Sequence, residues 1–175
     1  FRSTYGPDGM ITGTEAASGK RLWQVDAAKE FGSKKGFFGR ACAPLVVGDL
    51  VLLNVGGKAG AGIVALEVAT GKLRWKATDD EASYSSPTLA VLNGRTNALF
   101  LTRHMLLGLD PANGKSVFQN PFTPSISASV TAATPLVEGD LIFISASYGA
   151  GAAVLRVNDG KVEKFWAQDN VLSNH

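Results

Sequence analysis

The sequence predicts an all-β chain, a β-propeller of four-stranded antiparallel blades seen in part. Two repeats and one alternation pattern carry that expectation. The first repeat reads Thr14-Glu15-Ala16-Ala17-Ser18-Gly19-Lys20-Arg21-Leu22-Trp23, then Leu66-Glu67-Val68-Ala69-Thr70-Gly71-Lys72-Leu73-Arg74-Trp75. It returns as Leu109-Asp110-Pro111-Ala112-Asn113-Gly114-Lys115-Ser116-Val117-Phe118, and more loosely as Arg156 to Lys161 with Trp166 beyond. Its Gly-Lys pairs begin at 19, 71, 114 and 160, which are steps of 52, 43 and 46 residues. The second repeat is out of phase with the first. Pro44-Leu45-Val46-Val47-Gly48-Asp49 matches Pro135-Leu136-Val137-Glu138-Gly139-Asp140, with Pro87 opening a third copy between them. Periods of this length mark one supersecondary unit stacked several times. Within a unit, Lys72, Arg74 and Lys76 alternate with Leu73 and Trp75, the mark of a strand with one wet face.

The elements follow in order. The first unit shows its last two strands, near 9–14 and 20–25, and residues 26–31 could form a short helical turn in the connection. The second unit spans about 42–77. Gly48-Asp49 joins its first two strands as a two-residue hairpin. Its third strand covers 62–68, a turn at Ala69-Thr70-Gly71 needs glycine for a left-handed backbone, and an outer strand covers 72–77. The third unit spans about 86–119 with its turn at Asn113-Gly114. The fourth spans about 132–167 and turns at Asp159-Gly160. Residues 168–175 read as the lead-in to a further blade. Closing a propeller takes roughly 4–8 blades, so three complete blades and pieces of others point to a fragment of a longer chain, in keeping with a start at Phe1 rather than methionine. If the chain were complete, two copies would have to pair to close a ring.

Bulk properties narrow the function classes. Apolar residues make up 45% of the 175 and charged residues 18%, a globular composition. Seventeen basic against fifteen acidic side chains leave a net charge of +2, which argues against a nucleic-acid surface. No run is long enough to span a membrane as a helix. The lone Cys42 can form no internal disulfide and belongs to no metal-type spacing.

The segment Ala65-Leu66-Glu67-Val68-Ala69-Thr70-Gly71-Lys72-Leu73-Arg74-Trp75 resembles the tryptophan-docking repeat of quinoprotein alcohol dehydrogenases, Ala-x-Asp-x-x-x-Gly-x-x-x-Trp. The resemblance runs from about residue 9 to 167. It places the chain in the pyrroloquinoline-quinone-like propeller superfamily, beside bacterial members that bind no quinone. It implies an extracytoplasmic, periplasmic location and a structural docking role for Gly19, Trp23, Gly71, Trp75, Gly114, Phe118, Gly160 and Trp166. Phe118 replaces one tryptophan and the fourth copy is a residue short before its glycine, so those blades are expected to interlock less tightly.

Function is expected on the loop rim, where a rigid scaffold tolerates variation. The rim candidates are Lys58, Asp79, Asp80, Glu81, Tyr84, Arg103, His104 and Tyr148. The three consecutive acids could ligate calcium, but their spacing fits a solvated acidic turn better. His104 beside Arg103 could act as a base or an anion contact; with no partner evident in the sequence, a surface histidine is the plainer reading. The glycine-rich stretches at 56–62 and 149–151 lack the Gly-Lys-Ser/Thr and following helix of a phosphate loop. Tyr84 and Tyr148 fit either partner contact or packing at the loop base. The stretch Gly32 to Arg40 mixes cations with Phe37 and Phe38, as a partner-binding loop would. The expected function is a non-catalytic scaffold binding a protein, peptide or glycan, with no cofactor. The alternative is a fragment of a quinone-dependent dehydrogenase, which by resemblance would need pyrroloquinoline quinone, calcium ligands and often an adjacent cysteine pair; Cys42 alone excludes that pair.

Overall fold

The computed structural model describes residues 1–124, 126 and 130–170. Its strands form four antiparallel sheets in chain order. The first holds β1 (Arg2–Tyr5), β2 (Met10–Thr14) and β3 (Arg21–Asp26). The second holds β4 (Leu45–Val47), β5 (Leu50–Asn54), β6 (Ile63–Glu67) and β7 (Leu73–Ala77). The third holds β8 (Thr88–Leu92), β9 (Arg95–Leu101), β10 (Met105–Leu109) and β11 (Ser116–Pro121). The fourth holds β12 (Leu136–Glu138), β13 (Leu141–Ala146), β14 (Gly151–Asn158) and β15 (Lys161–Gln168). This is an all-β partial propeller. The short helix α1 (Ala27–Phe31) occupies the first connection. Asp26 caps it by accepting from the amides of Ala28 and Lys29, and left-handed Gly32 ends it.

Three details differ from the sequence expectation. The first sheet has a third strand: β1 pairs with β2 from Arg2↔Thr14 to Tyr5↔Ile11. It is short and polar, so it gave no alternation signal. The opening strands of the second and fourth blades are three residues long, not six, because the residues before them bond elsewhere. The Ala43 amide donates to Ser86 Oγ at 3.0 Å, and the Ala133 carbonyl accepts from Ser85 Oγ at 2.9 Å. The fourth turn is two residues shorter than the others rather than one. Residues 171–175 of the expected lead-in lie outside the described residues.

The core forms between blades, and period-2 alternation assigns its sides. Val51, Leu53, Val64 and Leu66 pack toward the first blade with Ile11 and Trp23. Their neighbours Leu50, Leu52, Ile63 and Ala65 pack toward the third blade with Ala98, Phe100, Leu107 and Leu109. The opposite faces of β9 and β10, through Leu99, Leu101 and Leu106, meet Ile142, Ile144 and Leu155 of the fourth blade. Strands β5 and β6 are therefore buried on both faces, which is why they read as unbroken apolar runs.

The repeat motif has one geometry in the first three blades. The acid that opens the turn (Glu15, Glu67 or Asp110) accepts from the side chain before the glycine (Ser18, Thr70 or Asn113). The glycine amide closes the turn onto that acid's carbonyl. A β-bulge then follows, and it sets the aromatic opposite a small residue of the strand before its own: Trp23 faces Gly13, Trp75 faces Ala65 and Phe118 faces Gly108. The Trp23 indole N–H donates to the Val68 carbonyl of the next blade at 2.7 Å, and Trp75 donates to Pro111 at 3.0 Å. Each ring lies on the next blade's turn glycine. A Cβ on Gly71 would come within 2.6 Å of Trp23, and one on Gly114 within 2.5 Å of Trp75.

The fourth blade breaks the pattern. Asn158 pairs directly with Lys161, and Asp159 and Gly160 both have positive φ, so the four-residue turn becomes a two-residue hairpin. Phe118 is buried against Gly108 of its own blade. Gly160 meets the Val117 carbonyl rather than an aromatic ring. Trp166 faces Val154, is half-buried, and has no following blade among the described residues.

Candidate functional site

The connections between blades and the hairpins joining second to third strands meet on one rim. There the hairpin 55–62 is wedged between two connections. The Lys58 amide donates to the Phe31 carbonyl at 2.8 Å. A Cβ on Gly57 would strike that same carbonyl at 2.4 Å, and one on Gly56 would strike the Ala82 amide at 2.5 Å. These glycines admit close backbone packing, which explains the glycine-rich stretch without a phosphate.

Beside this hairpin lies a cleft of about 500 Å³, lined by residues from 32–41, 54–59 and 79–84 together with Tyr5. Four predicted rim residues come together in it: Lys58, Asp79, Glu81 and Tyr84. Tyr84 supports a neighbouring turn. Its hydroxyl accepts from the Phe38 amide at 2.9 Å, and its ring meets Phe38 edge-on at 6.0 Å. The turn from Gly36 to Gly39 holds Phe37 and Phe38 out into solvent, 91% and 66% exposed, with their rings 4.8 Å apart.

The acidic run does not act as one unit. Asp79 accepts from the Gly60 amide. Glu81 is exposed, and its carbonyl accepts from the Arg103 amide at 3.0 Å. Asp80 turns inward, its side chain 12% exposed, which corrects the expectation of a solvated turn at that residue. It accepts from Thr102 Oγ1 at 2.5 Å and from the His104 amide at 3.0 Å, and its Oδ1 lies 2.6 Å from His104 Nδ1. His104 therefore does have a partner, on the connection before its own blade, which no local pattern could reveal. Burial alone would push the Asp80 carboxyl up; the Thr102 hydroxyl and then His104 outweigh it and hold the acid below the usual carboxylate range. The Asp79 and Asp80 carboxylates thus turn to different partners, the Gly60 amide for one and Thr102 with His104 for the other. Among the described residues no three His, Cys, Asp or Glu side chains converge. Arg103 and Tyr148 stand apart from the cleft, and Tyr148 sits exposed on the fourth blade's hairpin with φ 59°.

The sequence reading missed the cleft's floor. Arg40 is 9% exposed. Its Nε donates to Ser33 Oγ at 2.9 Å, one terminal nitrogen to the Asp8 carbonyl at 3.1 Å and the other to the Ser33 carbonyl at 2.6 Å. Ser33 in turn donates to the Val55 carbonyl at 2.5 Å and lies 3.5 Å from the Tyr5 hydroxyl. Burial pushes the Tyr5 phenol up to about 12, against the opposing Ser33 bond. Nearby, burial pushes the Cys42 thiol up to about 11. Only the run of cations near Arg40 pointed here, and it spoke for a loop rather than a floor.

The fold and this rim define a β-propeller of the quinoprotein-like superfamily. Within it the chain belongs to the family described as outer membrane protein assembly factor BamB, whose model matches residues 4–175. BamB from Moraxella catarrhalis superposes with a TM-score of 0.65 at 20% identity, over 91% of this chain and 46% of that one. A europium-containing methanol dehydrogenase superposes at 0.53 with 20% identity, over 73% of this chain and 24% of the other. Quinohemoprotein alcohol dehydrogenase from Comamonas testosteroni superposes at 0.57 with 13% identity, over 94% and 34%. The chain thus spans less than half the length of each of these structures, and identities this low establish a shared fold alone. No curated protein sequence matches the chain.

Proposed function

We propose that this chain is part of a non-catalytic, extracytoplasmic bacterial propeller that binds a protein or peptide through its rim, in the service of outer-membrane protein assembly. The observation that carries the reading is the Phe37–Phe38 pair. Two adjacent aromatics exposed at 91% and 66% lose apolar contact unless something covers them. Tyr84 holds Phe38 through its backbone amide and ring edge, Phe37 packs edge-on against Phe38, and the pair stands beside a cleft carrying cations. Aromatic and basic groups together are what protein interfaces favour over the remaining surface. Family membership supports a protein partner, and no donor set among the described residues favours the quinone-dehydrogenase alternative.

The test is a photo-crosslinking residue placed at position 37 of the full-length protein in its native cells, with the same residue at exposed Val91 as control. A specific adduct is expected from position 37, and it should disappear when Phe38 and Tyr84 are changed to Ala. Equal labelling from positions 37 and 91 would sink the rim assignment.

A further inference from the structure

We propose that the cleft beneath the Phe37–Phe38 turn is a subsite for an acidic peptide segment, with a side-chain carboxylate against Arg40 and a peptide unit against Asn54. This deepens the rim-binding reading and rests on it. Three observations converge.

First, Arg40 is a buried cation whose three nitrogens each donate to a neutral oxygen, and among the described residues no carboxylate pairs with it. Burying a charge is costly unless a counter-charge compensates it. The guanidinium is held rigidly by Ser33 and Asp8, so an incoming carboxylate meets a preorganised donor.

Second, Asn54 lines the same cleft at 1% exposure, and neither its Nδ2 nor its Oδ1 has a hydrogen-bond partner. It is tied to Arg40 through Ser33, which bonds the carbonyl of the next residue, Val55. An amide left empty on both its donor and its acceptor side is matched by a group that offers both. A peptide unit does so, and a free carboxylate supplies only acceptors. That difference favours a peptide over a small organic acid.

Third, the lining carries Lys34, Lys35, Arg40 and Lys58 against Asp79 and Glu81, an excess of positive charge in a concave, partly desolvated space. Asp79 is already engaged by the Gly60 amide.

The test uses nitrogen-15-labelled protein titrated with an acetylated, amidated hexapeptide of alternating Gly and Glu, its Gly-Gln counterpart, and succinate. The Glu peptide is expected to shift the Asn54 side-chain amide and Arg40 Nε–H resonances. It should bind at least about tenfold more tightly than the Gln peptide, the loss typical of a hydrogen bond to a charged group. Lys34→Gln with Lys58→Gln, both exposed and remote from the core, should weaken it and flatten its salt dependence. Asn54→Leu provides a readout that a purely structural role would not give: thermal stability should rise, because an unpaired buried amide is removed, while peptide affinity falls.

Equal binding of the Glu and Gln peptides, or an unchanged affinity in Asn54→Leu, would overturn the subsite. Succinate binding as tightly as the Glu peptide would replace the peptide with a free dicarboxylic acid and overturn this assignment. If the Glu peptide fails to bind while position 37 still crosslinks specifically, the subsite falls and the rim reading stands.

Discussion

Gly19 and Gly71 occupy the same turn position with nearly the same backbone, φ 72° and 70°. They differ in one respect: a Cβ on Gly71 would meet Trp23, whereas one on Gly19 meets nothing within 4 Å. Gly19→Ala should therefore cost about 1 kcal/mol, the price of a left-handed alanine. Gly71→Ala should cost about 1–3 kcal/mol more, the range for overpacking a filled site. Urea denaturation of the two variants measures the ring contact as their difference, and equal losses would show that the ring moves aside. Asp80 gives a second residue-scale test. Its folded pKa is depressed, so its stabilising contribution is complete above the unfolded value of about 4 and is lost as pH falls through the folded one. Asp80→Asn should lower the melting temperature at neutral pH, and its gap from the wild type should close in acid. Cys42 is buried with its thiol raised to about 11, so iodoacetamide at pH 8 should label it only when the protein opens, at a rate that rises with urea.

At the scale of the element, the turn and the bulge decide where each aromatic goes. In the second and third motifs a four-residue turn presents a carbonyl, Val68 or Pro111, to the indole of the blade before. The two-residue Asp159-Gly160 hairpin has no such loop. Phe118→Trp should therefore destabilise the chain by about 1–3 kcal/mol, since it buries an indole N–H without an acceptor. Trp75→Phe should cost about 1–2 kcal/mol, because it strips the Pro111 carbonyl of its donor. Denaturation midpoints of both variants check the pair; a stabilising Phe118→Trp would show that the short hairpin can still accept a tryptophan. The Gly-x-x-x-Trp spacing was visible in the sequence, but the bulges were not. A bulge is a mismatch between two paired strands, and neither strand shows it alone.

Across the whole molecule, burial is greatest in the middle blades and thins toward both ends. Strands β5, β6, β9 and β10 lie between other blades, while β1 and β15 lie at the margins. Amide exchange should be slowest in the first group and fastest in the second, since local opening follows buried contact. Uniform protection would mean that the blades open together. Of the three tryptophans, Trp23 and Trp75 are buried and Trp166 is only half-buried. The sequence alone determined the repeat, the blade order, the glycine turns and the aromatic positions, because these arise from local backbone needs and short-period burial. It also marked Lys58, Asp79, Glu81 and Tyr84 as rim residues. Only the tertiary structure decided that Asp80 turns in to His104, that Tyr84 braces Phe38, and that Arg40 and Asn54 share the floor of one cleft. Those pairs are separated by 24, 46 and 14 residues, and strand pairing and blade packing bring them together.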